Sequence, residues 1–229
     1  MCEPSMDGTI RTIDDLKACL QGRVSNRRFV HSVGVAQCTS QLLGMYPSSD
    51  YPKAWNGFDA ALFCGLSHDM AREMDDASIL GYCRENSIVL SSEEIEAPVL
   101  AHGKVSAHMV AALCGDYPSS WREAIEVHTT GCPGMDGLAL ALFCADFIEP
   151  SRRFMTDERR AYYLSSHSLG ACAYRILCDM IDHWAVSGIQ CISKQSLGMK
   201  AYLESKGMDE GRIPWLGRES GASKCGGGR

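Results

Sequence analysis

The 229-residue chain is 45% hydrophobic and 22% charged, an ordinary composition for one generous globular domain. Its net charge of -6 and pI near 5.6 exclude a general basic surface for duplex nucleic acid or an anionic membrane, so a phosphate ligand would need a local cluster of cations. The opening "MCEPSMDGTIRTIDDLKACL" lacks the basic and apolar regions of a signal peptide, and no apolar run reaches the ~18 residues of a membrane span, so a cytoplasmic location is expected.

Apolar residues recur at steps of three and four, without sustained alternation of β-branched residues, which predicts an all-α fold. Helices are expected at about 12 to 21, 26 to 45, 53 to 70, 75 to 86, 92 to 114, 119 to 130, 136 to 148, 157 to 184 with a break near Ser166 to Gly170, and 194 to 206. Between them, "MYPSSDYP", "GDYPSS" and "TTGCPG" are turn clusters in which Pro and Gly stop one helix before Ser or Asp caps the next. The expected organisation is one helical body over residues 1–206 and a Gly-rich tail over 207–229, where Trp215 and Leu216 read as surface decoration. The 12 cysteines show no C-x-x-C spacing, and most, such as Cys38, Cys64, Cys144 and Cys178, sit among apolar neighbours as small core residues.

Polar residues interrupt the apolar stripes at particular places. His31 shares a stripe with Val35, Cys38 and Leu42; His68 with Ala61 and Cys64 or Gly65; His102 with Val99 and Ser106; and His128 with Trp121 and Ala124 or Ile125. Asp146 repeats the pattern after Ala139 and Leu142. A lone histidine on such a face is usually a hydrogen-bonded core residue. Four imidazoles and the carboxylates Asp69 and Asp146, drawn together from five helices, would instead carry a desolvation cost that a divalent metal offsets for all of them. Adjacent helical residues diverge by about 100°, so His68 and Asp69 converge most easily where their helix ends. Mixed imidazole and carboxylate ligation without thiolates suits iron, manganese or zinc with open positions for water, and one Asp can bridge two ions.

With His31, the doublet His68-Asp69, His102, His128 and Asp146 in that order, the sequence resembles the HD-domain metal-dependent phosphohydrolases, and its words "RRFVHSVGVA", "GLSHDMAREM", "LAHGKVSAH", "VHTTGCPGM" and "ADFIEPSRRF" are similar to the bacterial symmetrical diadenosine tetraphosphate hydrolases of the YqeK type. The likeness is strong over about residues 25–155. It implies an all-α HD-domain helical bundle in which His31, His68, Asp69 and Asp146 hold iron, with His102 and His128 beside it for the substrate phosphate or a second ion. The implied reaction cleaves the dinucleotide into two ADP, with Asp69, His102 and His128 as catalytic residues. The implied substrate contacts are Arg28, Asp69, Met70, Ala71, Arg72, His102, Lys104, His128, Thr129, Asp146 and Arg152. Arg72 stands where the family usually has Lys, and "SKQS" (Ser193 to Ser196) where relatives often have a His-Pro-Asp-Thr stretch that helps form the nucleotide pocket. His108, His167 and His183 read as structural.

No P-loop or G-x-S-x-G elbow is present, so water is the expected nucleophile. The expected partner is a small dinucleoside polyphosphate, with no nucleic acid or membrane partner and with a homodimer as an allowed assembly. The alternatives are an HD enzyme for a nucleoside monophosphate, a deoxynucleoside triphosphate or guanosine tetraphosphate, and a non-catalytic nucleotide-binding module.

Overall fold

The computed structural model describes residues 10–187 and 192–209. Helices α1 (Ile13–Gln21) and α2 (Asn26–Met45) are followed by a two-stranded antiparallel hairpin, β1 (Ala54–Trp55) and β2 (Phe58–Asp59). Then come α3 (Ala60–Ser67), α4 (Asp76–Glu85), α5 (Ser92–Glu96), α6 (His102–Cys114), α7 (Ser119–Val127), α8 (Gly137–Ile148), α9 (Asp157–Leu164), α10 (Leu169–Val186) and α11 (Lys194–Ser205).

The starts follow from the side chains before them. Thr12, Ser25, Asp59, Asp75, Ser91, Asp136, Thr156, Ser168 and Ser193 each accept a backbone N–H of the first turn that would otherwise lack a partner. The cap of α2 is tied further, because Ser25 donates its N–H (2.7 Å) and its hydroxyl (2.6 Å) to Glu73. That pair fixes the start of α2 against the turn that follows His68 and Asp69.

Two expected helices are corrected. The segment from 53 opens with the hairpin instead of helix, because Asn56 and Gly57 adopt φ of 46° and 85°, the left-handed pair that a tight two-residue β-turn requires. The segment 92 to 114 is broken at Pro98, which lacks an N–H and disfavours helix at Ala97, so a short 3-10 turn (Pro98–Ala101) separates α5 from α6. The break near Ser166 to Gly170 appears as expected, with Ser168 capping α10. Of the expected tail, Met208 packs against the core, while Trp215 and Leu216 lie outside the described residues.

Helices α2, α3 and α8 pack together, with α7 against α6 and α8, and α10 against α8 and α11. The core is aliphatic around Leu42, Leu66, Leu138 and Leu142, with an aromatic group of Phe58, Phe63, Tyr117 and Trp121 at the hairpin end. A smaller cluster, including Ala71, Ile79, Ala101 and Val105, lies under α4. Nine described cysteines are free thiols, and Cys38, Cys64, Cys144 and Cys178 are buried as expected.

One glycine sets the closest approach. A Cβ on Gly65 of α3 would lie 2.6 Å from the backbone N of Ala36 in α2, so only glycine lets these two helices meet at this distance. The Gly65→Ala variant should lose about 3 kcal/mol by overpacking against backbone. For a chain of this size that is a fall of roughly 6–12 °C in Tm, read by calorimetry. An unchanged Tm would show that α2 and α3 separate freely.

Candidate metal centre

The stripes read from sequence converge. His31 from α2, His68 and Asp69 just beyond α3, and Asp146 near the end of α8 form one group, and Asp69 with His102 and His128 forms a second. All of these side chains are buried except Asp146, which is partly exposed. The His68-Asp69 doublet lies where the α-helix gives way to a turn, which lets adjacent residues aim at one point.

Distances within the first group are those of a coordination shell. His31 Nε2 lies 2.9 Å from Asp146 Oδ1 and 3.5 Å from Asp69 Oδ2; His68 Nε2 lies 3.3 Å from Asp69 Oδ2 and 3.6 Å from Asp146 Oδ1. An ion ~2.1 Å from each donor would set neighbouring donors ~3.0 Å apart in an octahedron and ~3.4 Å in a tetrahedron. Both Nε2 atoms are buried without a hydrogen bond, a costly state for a polar atom unless a cation takes the lone pair. The residues present therefore fit a divalent metal, and the donor set is nitrogen and oxygen only.

The other ring nitrogen of each histidine is already committed. Nδ1 of His68 faces the carbonyl of Gly65 at 2.7 Å, Nδ1 of His128 faces that of Ile125 at 2.7 Å, and Nδ1 of His102 faces that of Val99. In all three the acceptor is three residues upstream. Donation from Nδ1 to these oxygens leaves the Nε2 lone pairs aimed at the centre. His31 sits inside a helix, where such carbonyls are taken, and its Nδ1 pairs with Glu149 Oε1 at 2.8 Å instead.

Glu149 was not singled out by the sequence reading. It caps the C-terminus of α8, is 1% exposed, and also accepts the N–H and hydroxyl of Ser151, each at 2.7 Å. Room for it comes from Gly34, where a Cβ would lie 2.8 Å from Glu149 Oε2. The available signal was its place three residues after Asp146 in "DFIEPS", on the same face of the helix.

Asp69 serves both groups. Its Oδ2 faces His31 and His68 and contacts the Arg28 guanidinium, while its Oδ1 lies 3.0 Å from His102 Nε2 and 3.6 Å from His128 Nε2. His102 and His128 are 3.1 Å apart, Nε2 to Nε2, and the Thr129 hydroxyl lies 3.3 and 3.1 Å from these same atoms. The Arg152 guanidinium contacts the Asp146 carboxylate and donates Nε–H to its backbone carbonyl at 2.7 Å.

Charge in the cluster is strongly coupled. Burial by itself would strip protons from the histidines, yet the carboxylates of Asp146, Asp69 and Glu149 hold His31 up to about 10, and Asp69 with Asp146 holds His68 up to about 9. Burial also opposes ionisation of Asp69 and Asp146, but His68 and its neighbours for Asp69, and Arg152 with His31 and His68 for Asp146, keep both well below the usual carboxylate range. Burial lowers His128, with His68 and His102 adding to the effect against the raising influence of Asp69.

The remaining sequence-predicted residues are less uniform. The Arg72 guanidinium has no ion pair among the described residues. Met70 packs into the main core and Ala71 into the smaller one, and the Ala71 N–H is taken by Ser106 Oγ at 3.0 Å. Lys104 turns away from the histidines to Glu94 (2.7 Å) and the Val89 carbonyl (3.0 Å). Lys104 lines a cleft of 170 Å³ with Glu93, Glu94, Thr130 and Ser193 to Gln195. The structural reading of His108 holds, since its Nδ1 pairs with the Tyr82 hydroxyl at 2.9 Å; His167 and His183 are exposed.

No family model matches the chain. Among curated proteins it is 30% identical over 154 residues to a Bacillus subtilis protein named "Bis(5'-nucleosyl)-tetraphosphatase, symmetrical", covering 64% of this chain and 75% of the relative. A protein of the same name from Halalkalibacterium halodurans is 32% identical over 138 residues, covering 59% and 68%. Among solved structures, a Clostridium acetobutylicum protein described as a "predicted HD superfamily hydrolase involved in NAD metabolism" shares the fold, with a TM-score of 0.74 over 84% of this chain and 97% of that one at 24% identity. The helical fold is shared with that structure, and relatives matched over two thirds or more of their own length agree on one description. By that agreement the chain belongs to the family of symmetrical bis(5'-nucleosyl)-tetraphosphatases.

Proposed function

We propose that the protein hydrolyses diadenosine tetraphosphate at its central phosphoanhydride, adding one water and releasing two ADP. The observation that carries this reading is Asp69, which presents one oxygen to His31 and His68 and the other to His102 and His128. Such an arrangement suits a reaction in which metal ligands and proton-transfer groups must address one phosphorus.

His31, His68, Asp69 and Asp146 would hold the ion, which supplies Lewis acidity to a water and a phosphoryl oxygen when bound. Iron is the ion we favour, from the family resemblance; the donor set also accepts manganese and zinc. Asp69 or Asp146 takes the proton of the attacking water. His102 and His128 have facing Nε2 atoms 3.1 Å apart beside Asp69 Oδ1, where either is placed to pass a proton to the leaving diphosphate. The Thr129 hydroxyl orients that pair. Arg28 and Arg152, lying against the two carboxylates, are placed to turn toward the charge that builds on the phosphoryl oxygens, with Arg72 as a further unpaired cation. Lys104, Thr130 and Gln195 border a cleft that would receive one nucleoside, with Met70 and Ala71 shaping the turn beneath Arg72.

Metal-loaded protein incubated with diadenosine tetraphosphate should give ADP as the sole nucleotide product, resolved by anion-exchange chromatography. AMP with ATP would place the attack at an outer phosphorus. No cleavage, together with turnover of a monophosphate or a deoxynucleoside triphosphate, would move the substrate to those classes.

A further inference from the structure

A substrate with a nucleoside at each end of four phosphates needs an open seat on both sides of the bond that breaks. The centre has two ends: Thr129 and Thr130 lead to the Lys104 cleft, and His31 opens on a second cleft of 370 Å³, within the range of small-ligand sites. We infer that this second cleft is the seat of the other nucleoside diphosphate half, with Arg27 and Arg153 on its phosphates and Phe154 as the platform for its base. The inference rests on the function proposed above.

The chemistry of the cleft changes with distance from His31. Innermost, Arg28 and Arg152 touch the carboxylates of Asp69 and Asp146. Further out, Arg27 and Arg153 line the same cleft and make no ion pair among the described residues. Four guanidiniums around one cleft, in a chain whose net charge is -6, concentrate donors suited to bidentate phosphate binding. The one carboxylate in the lining, Glu149, is occupied by His31 and Ser151 and leaves that field largely intact.

At the rim the character becomes apolar. Phe154 is 43% exposed and Val30 is 49% exposed, and both line the cleft. The Phe154 ring is braced by Phe147 at 5.3 Å between centroids and by the guanidiniums of Arg159 and Arg152, 5.4 and 5.9 Å from its centroid. A braced, exposed aromatic ring beyond a row of phosphate donors matches the order of a nucleotide: base, sugar, phosphates. Stacking on aromatic side chains tolerates any base, so this seat should select for a ring and not for adenine.

The test uses the metal-loaded full chain with Phe154→Ala, Phe154→Trp and Arg153→Gln. Phe154→Ala should raise KM for diadenosine tetraphosphate by ~5-fold or more with a smaller change in kcat, and Phe154→Trp should restore it. By calorimetry, ADP should occupy two sites on the parent chain and one on Phe154→Ala and on Arg153→Gln. If the parent cleaves the substrate while all three variants keep its KM and both ADP sites, the cleft assignment is wrong and the proposed reaction stands. If the parent fails to cleave it but Phe154→Ala still loses one ADP site, the proposed reaction is wrong and the cleft remains a nucleotide seat. One ADP site on the parent chain, unaltered in the variants, also overturns the assignment.

Discussion

The Asp69→Ala variant should lose hydrolysis of diadenosine tetraphosphate by a factor on the order of 10³ or more, because one substitution removes an oxygen from each of the two groups. Asp69 is 3% exposed and faces four imidazoles and the Arg28 guanidinium, so no neighbour can replace it. Asp69→Asn is the sharper comparison. Asparagine keeps the shape but has one carbonyl oxygen, and its NH₂ offers one of the two groups no lone pair for an ion or a proton. Its activity should therefore fall nearly as far as that of the alanine variant. Rates from product chromatography, with metal content by elemental analysis and helicity by circular dichroism, check this. An Asn variant within tenfold of the parent would show that only one oxygen of Asp69 is used.

Glu149→Gln should weaken metal binding by roughly 10- to 100-fold, the usual consequence of altering the partner that orients a ligating histidine. The glutamate holds the His31 ring through Nδ1 and takes two bonds from Ser151. Glutamine can accept from His31 and from the Ser151 hydroxyl with its carbonyl, but its NH₂ then meets the Ser151 N–H as donor against donor. Competition with a chelator measures the affinity directly, and added metal should recover much of the lost activity. Unchanged affinity with the fold intact would make Glu149 a packing residue only.

Much of this centre was legible because buried helical stripes repeat at fixed steps, and a histidine that replaces a core residue on such a stripe stands out. His31, His68, His102, His128 and Asp146 all lie where that periodicity puts them. Glu149 did not stand out, since a glutamate at a helix end reads as a solvated cap, and its partner is 118 residues away in sequence. Lys104 shows what a helical stripe does not give: its place on the helix is legible, but its long side chain reaches Glu94 by tertiary packing. The hairpin was legible in "WNGF" by the turn rule, yet the apolar run that follows suggested a longer helix. Pro98 is a similar case, a local break hidden within a helix-like pattern.

The three histidines held by carbonyls three residues upstream have a consequence for how the centre tolerates sequence change. Their orientation is written in the backbone, and no side-chain replacement can withdraw a main-chain oxygen. His31 alone takes its orientation from a replaceable group, and that group needs glycine at position 34 to fit. Drift in the gene can therefore detune the orientation of His31 without touching a ligand, through Gly34 and Glu149, and a change at one would be felt at the other.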